Sequence, residues 1–192
     1  MLILKKDEIY VDGEKIVYLK YVYYMLNKPD GYVSATEDNL YPTVIDLIKE
    51  YHPGLFPVGR LDVDTEGLLL ITNDGQLAHR LLSPRTHVPK TYYVKVKGRL
   101  GIGDINAFTK GIPLEDFTCM PAFLNIIKSG EISECEVTIY EGKFHQVKRM
   151  FQACGKEVVY LKRISMGELK LDESLKLGHY RPLTDEEINS IL

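Results

Sequence analysis

The sequence predicts an α+β fold, with a mostly antiparallel mixed sheet and flanking helices. Three observations carry this. Tyr92–Tyr93–Val94–Lys95–Val96–Lys97 has the period of a half-buried strand, with Tyr92, Val94 and Val96 on one face and Tyr93, Lys95 and Lys97 on the other. In His145–Cys154 the apolar residues Val147, Met150, Phe151 and Cys154 fall at the i, i+3, i+4 and i+7 spacing of an amphipathic helix. Between these segments, short β-branched and aromatic runs bounded by Gly, Pro, Asn and Asp outnumber the helical patterns.

Taken in order, Tyr10–Val11 and Glu14–Tyr18 flank Asp12–Gly13, the signature of a hairpin. Tyr21–Leu26 reads as a strand stopped by Asn27–Lys28–Pro29–Asp30–Gly31. Thr43 with Asp46 resembles an acidic capping box, and Val44, Leu47, Ile48 and Tyr51 are spaced as a helix that ends at His52–Pro53–Gly54. GRLDVDTEG, residues 59–67, is polar and glycine-bounded, hence a loop. Leu68–Thr72 is a buried strand, Gln76–Leu82 a short helix, and Glu134–Tyr140 and Val158–Leu161 further strands. Thr184–Asp185–Glu186–Glu187 is a capping box that opens a final helix.

With 192 residues, 45% apolar and 27% charged, the chain has the length and composition of a folded soluble protein with a real core. No apolar run approaches the roughly 18 residues a membrane span needs, and the charged start is unlike a secretory signal. Cys119, Cys135 and Cys154 are odd in number and widely spaced, which points away from a disulfide framework or a zinc site and fits a reducing cytoplasm. The net charge of −3 hides an uneven distribution. Residues 76–99 hold Arg80, Arg85, Lys90, Lys95, Lys97 and Arg99 and no acid. Residues 142–171 hold Lys143, Lys148, Arg149, Lys156, Lys162, Arg163 and Lys170 against Glu157 and Glu168. Two basic blocks after one acidic loop suggest a local phosphate-binding surface.

The acidic loop places Asp62 and Asp64 beside Arg60. Asp62-x-Asp64-x-Glu66-Gly67 imitates the start of an EF-hand, but Asn73 stands where the bidentate Glu belongs and Leu68–Ile71 call for burial. The spacing argues against calcium, and no histidine cluster supplies another metal site. Two carboxylates could work as a pair at roughly 5 to 9.5 Å, yet Asp64–Thr65–Glu66–Gly67 also looks like a turn whose acid accepts backbone N–H bonds. Spacing alone leaves single-acid chemistry at Asp62 and a purely structural pair both open. Arg60 likewise reads either as the ion-pair partner of Asp62 or as a cation that steers a phosphate.

Four stretches in order carry a resemblance: MLNKPDGYVSA (25–35), PVGRLDVDTEGLLLITNDG (57–75), SPRTHVPKTYYVKVKG (83–98) and YEGKFHQVKRMFQACG (140–155). Together with GHYRPLTDEE (178–187) they resemble the RNA pseudouridine synthases, in the form of the branch acting on small-subunit ribosomal RNA, the RsuA type. The resemblance implies isomerisation of one uridine of 16S rRNA to pseudouridine without a cofactor, with rRNA or a small-subunit assembly intermediate as partner. It implies that Asp62 is the catalytic carboxylate, that Tyr92 packs on the target uracil and that Arg60 helps hold the flipped-out nucleotide. A basic residue of HQVKRM should pair with Asp62. Lys148 is the best positional match and Arg149 stands next to it, both on the polar helix face with His145. The basic blocks supply Arg80, Arg85, Lys90, Lys143 and Arg163, with His145 beside them, as candidate RNA contacts. The branch carries an N-terminal S4 RNA-binding domain, and residues 1–20 look like the exit from one. Residues 21–192 are then a monomeric catalytic domain with two subdomains around a central cleft. The alternatives are a synthase for 23S rRNA or another RNA, and a non-catalytic RNA-binding assembly module.

Overall fold

A computed structural model of the protein describes residues 6–192. The expected hairpin forms from β1 (Lys6–Val11) and β2 (Glu14–Leu19), which pair antiparallel as a sheet of their own. Asp12 and Gly13, at φ of 52° and 82°, supply the two left-handed residues that a type I′ turn requires. Of the segment expected to be a linker, residues 1–5 lie outside the described residues.

The second sheet contains β3 (Tyr23–Lys28), β4 (Phe56–Val58), β5 (Glu66–Thr72), β6 (Lys90–Lys97), β7 (Phe123–Lys128), β8 (Ile132–Ile139), β9 (Glu157–Met166), β10 (Leu169–Lys170) and β11 (Tyr180–Pro182). Its order is β11-β3-β5-β9-β6-β8-β7, with β4 on β5 and β10 on β9. Among these strands only the β5–β9 pairing is parallel. The helices are α1 (Gly75–Leu82), α2 (Ile102–Lys110), α3 (Gln146–Ala153) and α4 (Asp185–Ile191). The fold is thus mixed α+β, as the periodicities imply. None of these helices is long and apolar enough to cross a membrane.

The Leu68–Ile71 run makes sense once β5 is seen to be covered on both faces. Leu69 and Ile71 join Tyr24, Leu26, Val94 and Val96 in one cluster, and Leu68 and Leu70 join Tyr23, Met25, Leu77 and Leu81 in another. A strand buried on both sides reads as a continuous apolar run instead of an alternation. Tyr92, Val94 and Val96 face the first cluster. Tyr93 faces the other way, edge-on to Tyr160 and donating its hydroxyl to Glu134.

β5 is also where the sheet parts. Its last residues, Leu70–Thr72, pair with β4, while β9 meets it only at Glu66↔Lys162 and Gly67↔Arg163. Beyond that short join the strands diverge. Gly67 sits at the join with φ of 104°, and a Cβ there would lie 2.2 Å from the Arg163 carbonyl oxygen. Gly67→Ala therefore combines a left-handed backbone with a clash against main chain. It should lower stability by about 2–5 kcal/mol in urea or thermal unfolding, whereas Gly75→Ala, with open space around it, should be nearly silent.

One expectation about the elements needs correction. The helix expected to run to Tyr51 is a single 3-10 turn, Val44–Leu47, and Ile48 is already extended. Asp46 does accept from Thr43 N, but the following segment is drawn to β11, where Lys49 N donates to the Tyr180 hydroxyl and that hydroxyl donates to Glu50. Residues 102–128, to which the sequence patterns assign no element, form α2 and β7. α2 starts from Gly101 and contains Gly103, and β7 is an edge strand that leaves Phe123 and Ile127 exposed. Neither carries a clean period.

Candidate active site

The acidic loop crosses the place where the sheet parts, and residues of the MLNKPDG stretch hold it there. Lys28, at the end of β3, is 0% exposed. Its ammonium donates to the carbonyls of Pro29, Val63 and Thr65 at 3.0, 3.0 and 2.8 Å. Gly31 N donates to Val63 O. Ser34 Oγ donates to Leu61 O and accepts from Leu61 N, both at 3.0 Å. Thr65 N closes the turn onto Asp62 O at 2.9 Å. Asp62 is therefore clamped on both sides through its backbone, which leaves its carboxylate free to face the cleft. Burial pulls the Lys28 ammonium down to about 8, against the pull of Asp30 and the loop acids.

The opposite wall comes from the turn before α3. Gln146 is buried and ties this turn, donating to Glu141 and accepting from Lys143 N. Glu141 in turn accepts from Met120 N. His145 begins α3 in the left-handed conformation, at φ of 49°, and its Nε2 lies 3.4 Å from Asp62 Oδ1. One turn on, Lys148 Nζ lies 3.1 Å from Asp62 Oδ2 and 2.7 Å from Asp64 Oδ1. Burial opposes the Lys148 charge, but the two carboxylates override it and raise its pKa. Burial likewise opposes the Asp64 charge and is outweighed by Lys148, which holds that carboxyl below its ordinary range.

A cleft of about 500 Å³ lies between the walls, lined by Arg60, Asp62, Tyr92, His145, Lys148 and Arg163 among others. Tyr92, 8% exposed, forms part of its floor, and the Asp62 side chain is one-quarter exposed. Arg60 is exposed at the rim and makes no ion pair with Asp62. The Asp62 and Asp64 carboxylates converge on one ammonium.

Lys148 and Arg149 are separated by this geometry. Arg149 does not reach the acids; it pairs with Asp116 and lies over the Phe117 ring. Asp64 was expected to shape the turn by accepting backbone N–H bonds, but the turn is held by backbone and Lys28, and the Asp64 carboxylate engages Lys148. Arg163 was expected among the RNA contacts. It is only 2% exposed and lies under the cleft, not on the outer surface, because its Nε closes the β5–β9 join by donating to Leu68 O at 2.8 Å. Lys90 and Lys143 line the cleft, while Arg80 and Arg85 are exposed beyond its lining. The clamps Lys28 and Ser34 carried no chemical signal in the sequence, being a lysine before Pro-Asp-Gly and a lone serine.

A family profile for RNA pseudouridylate synthase matches residues 22–153, more than half of the chain. The chain belongs to this family. A solved structure, described as a pseudouridylate synthase, superposes on the whole chain and 83% of its own length with a TM-score of 0.83 and 42% identity. The uncharacterised RNA pseudouridine synthase YtzG of Bacillus subtilis is 50% identical over 188 residues, 95% of this chain and 78% of that protein. The ribosomal small subunit pseudouridine synthase A of Escherichia coli K12 is 46% identical over 174 residues, 88% of this chain and 74% of that protein. The pseudouridine synthase domain, an isomerase, therefore spans the β3–α3 region, which supplies the cleft residues named above except Arg163 of β9.

Proposed function

We propose that this protein isomerises one uridine of 16S ribosomal RNA to pseudouridine, with Asp62 as the catalytic carboxylate. The observation that carries the reading is the Asp62 carboxylate, held by Lys148 at 3.1 Å on the wall of a cleft whose floor contains Tyr92. A buried aromatic floor fits a base extruded from its stack, whose unstacking costs a few kcal/mol that pocket stacking and backbone contacts offset. The Lys148 ammonium lies against this carboxylate, a group that can attack the nucleoside or take a proton from it. Arg60 and Lys143, which line the cleft, would meet the phosphates on either side. The reaction moves no electrons to or from an acceptor and adds no group, so its balance calls for no cofactor. The small-subunit assignment is supported by the relatives named for it. In this reading residues 21–192 are the catalytic domain, residues 1–20 a linker, and the protein works as a cytoplasmic monomer where ribosomes are assembled.

The test is a map of pseudouridines in rRNA from cells with and without the gene, repeated on rRNA treated with purified protein. One 16S uridine should lose its modification in the deletion and regain it in vitro. A site lost from 23S rRNA would move the substrate, and an unchanged map together with no conversion in vitro would end the proposal.

A further inference from the structure

Two cations on the floor of the cleft have no acid to pair with among the described residues. The Arg163 guanidinium spends only its Nε, on Leu68 O. Its Nη2 is buried without a partner, and no carboxylate among the described residues reaches it. Lys90 stands two residues before Tyr92 on β6 and makes only a long 3.4 Å bond to Val88 O. Burial first, and the Arg163 charge second, pull its ammonium below the ordinary lysine range. The nearby acids are already engaged: Asp62 by Lys148 and His145, and Glu141 by Met120 N and Gln146. A buried, unpaired guanidinium beside a second cation is costly, and a native structure that keeps one calls for an anion to complete it.

Register places that anion. Tyr92 lies opposite Arg163 across the β6–β9 ladder, and Lys90, Tyr92 and Arg163 all line the cleft. A ring stacked on Tyr92 would present its polar edge to both cations. We propose that Lys90 and Arg163 form an anion hold for the target pyrimidine itself, meeting a carbonyl oxygen of the uracil ring and carrying its negative charge once the bond to ribose breaks. The proposal rests on uridine isomerisation at Asp62. When the C1′–N1 bond breaks, its electron pair stays with the base and gives a uracil anion delocalised over O2 and O4. C5 then bonds to C1′, the C5 proton leaves and N1 takes one up, so atoms and charge balance. The base is favoured over a phosphate because the extruded base is the part of the nucleotide that reaches deepest, while its phosphates remain at the rim with Arg60 and Lys143. Fixed charges aimed at a developing anion act on the rate and not on binding.

Lys90→Met carries the test, because Arg163 also closes the β5–β9 join. Single-turnover consumption of the starting nucleoside is measured on an rRNA fragment with uridine or 5-fluorouridine at the target. The fluorinated base leaves more readily as an anion, and its C5 carries no proton to lose. Loss of the N-linked nucleoside, and not pseudouridine formation, is therefore the readout for both. On uridine the rate should fall about 100-fold, with RNA affinity within twofold of wild type and part of the rate recovered in Lys90→Arg. On 5-fluorouridine the deficit should shrink about tenfold. Arg163→Lys, checked for an unchanged melting curve, should show the same dependence on the base. Weaker RNA binding with the rate preserved would make the pair a phosphate contact, and equal deficits on both bases would make it structural; either result overturns the anion hold. Wild-type protein that is folded but converts no uridine overturns the isomerase reading and this one with it, whereas an active wild type with either of the other results overturns this one alone.

Discussion

Asp62→Asn should abolish pseudouridine formation and leave the fold and most RNA binding intact. The substitution keeps the size of the side chain. It also keeps an oxygen that can accept from Lys148 or His145, now 3.1 and 3.4 Å from the carboxylate. The loop itself is held through backbone, by Lys28 and Ser34, so the amide changes little that maintains structure. It removes the charge and the lone-pair basicity that both nucleophilic attack and proton abstraction need. A loss of at least about a thousand-fold is expected, on the scale seen when an essential nucleophile is removed. Release of tritium from C5-labelled uridine measures the rate, and filter binding measures RNA affinity. A variant that retains a tenth or more of wild-type activity would remove Asp62 from the chemistry.

Lys148→Met is the second large effect. The ammonium separates two carboxylates, and without it Asp62 and Asp64 face each other as like charges, so that one of them takes up a proton more readily. In the wild type Lys148 titrates above its ordinary value and Asp64 below its own, burial opposing and the opposite charge overriding in each case. The sign follows from these directions. A carboxyl with a depressed folded pKa contributes stability that is present above its unfolded value and lost as pH falls through the folded value. Removing Lys148 moves that loss up in pH. Activity at pH 7 should fall about 100-fold, with the acid limb of the pH–rate profile displaced to higher pH, and Lys148→Arg should recover most of it. An unshifted acid limb would show that Lys148 serves only to bind RNA. Arg149→Met, which breaks the Asp116 pair instead, should leave the acid limb in place.

Much of the fold was legible because its signals are local. Asp12–Gly13 specifies the hairpin turn, the alternation in Tyr92–Lys97 specifies which face of β6 is buried, and Thr184 with Glu187 caps α4. Where signals failed, a distant partner had intervened. Tyr180 pulls Lys49 and Glu50 out of a helical pattern, and β7 is a strand because β8 lies beside it, not because its own residues alternate.

The candidate site divides in the same way. The residue types and their order along the chain, RLD, KTYYV and HQVKRM, are local properties, and it is the family resemblance they carry, not their spacing, that points to Asp62, Tyr92 and the Lys148–Arg149 pair. A one-residue difference between adjacent cations is invisible in composition or charge. It was resolved by the helix, whose 100° rotation per residue turns Lys148 toward the acids and Arg149 toward Asp116. Arg163 shows the reverse case. Its place in a basic block suggests a solvated cation, yet the parting of β5 from β9 draws its guanidinium beneath the cleft. Identity and chemistry reside in short runs of sequence. Which charge meets which, and which stays unpaired, depends on strands and helices far apart in the chain, because Coulomb and hydrogen-bond energies are set by distances of a few ångströms that no linear spacing encodes.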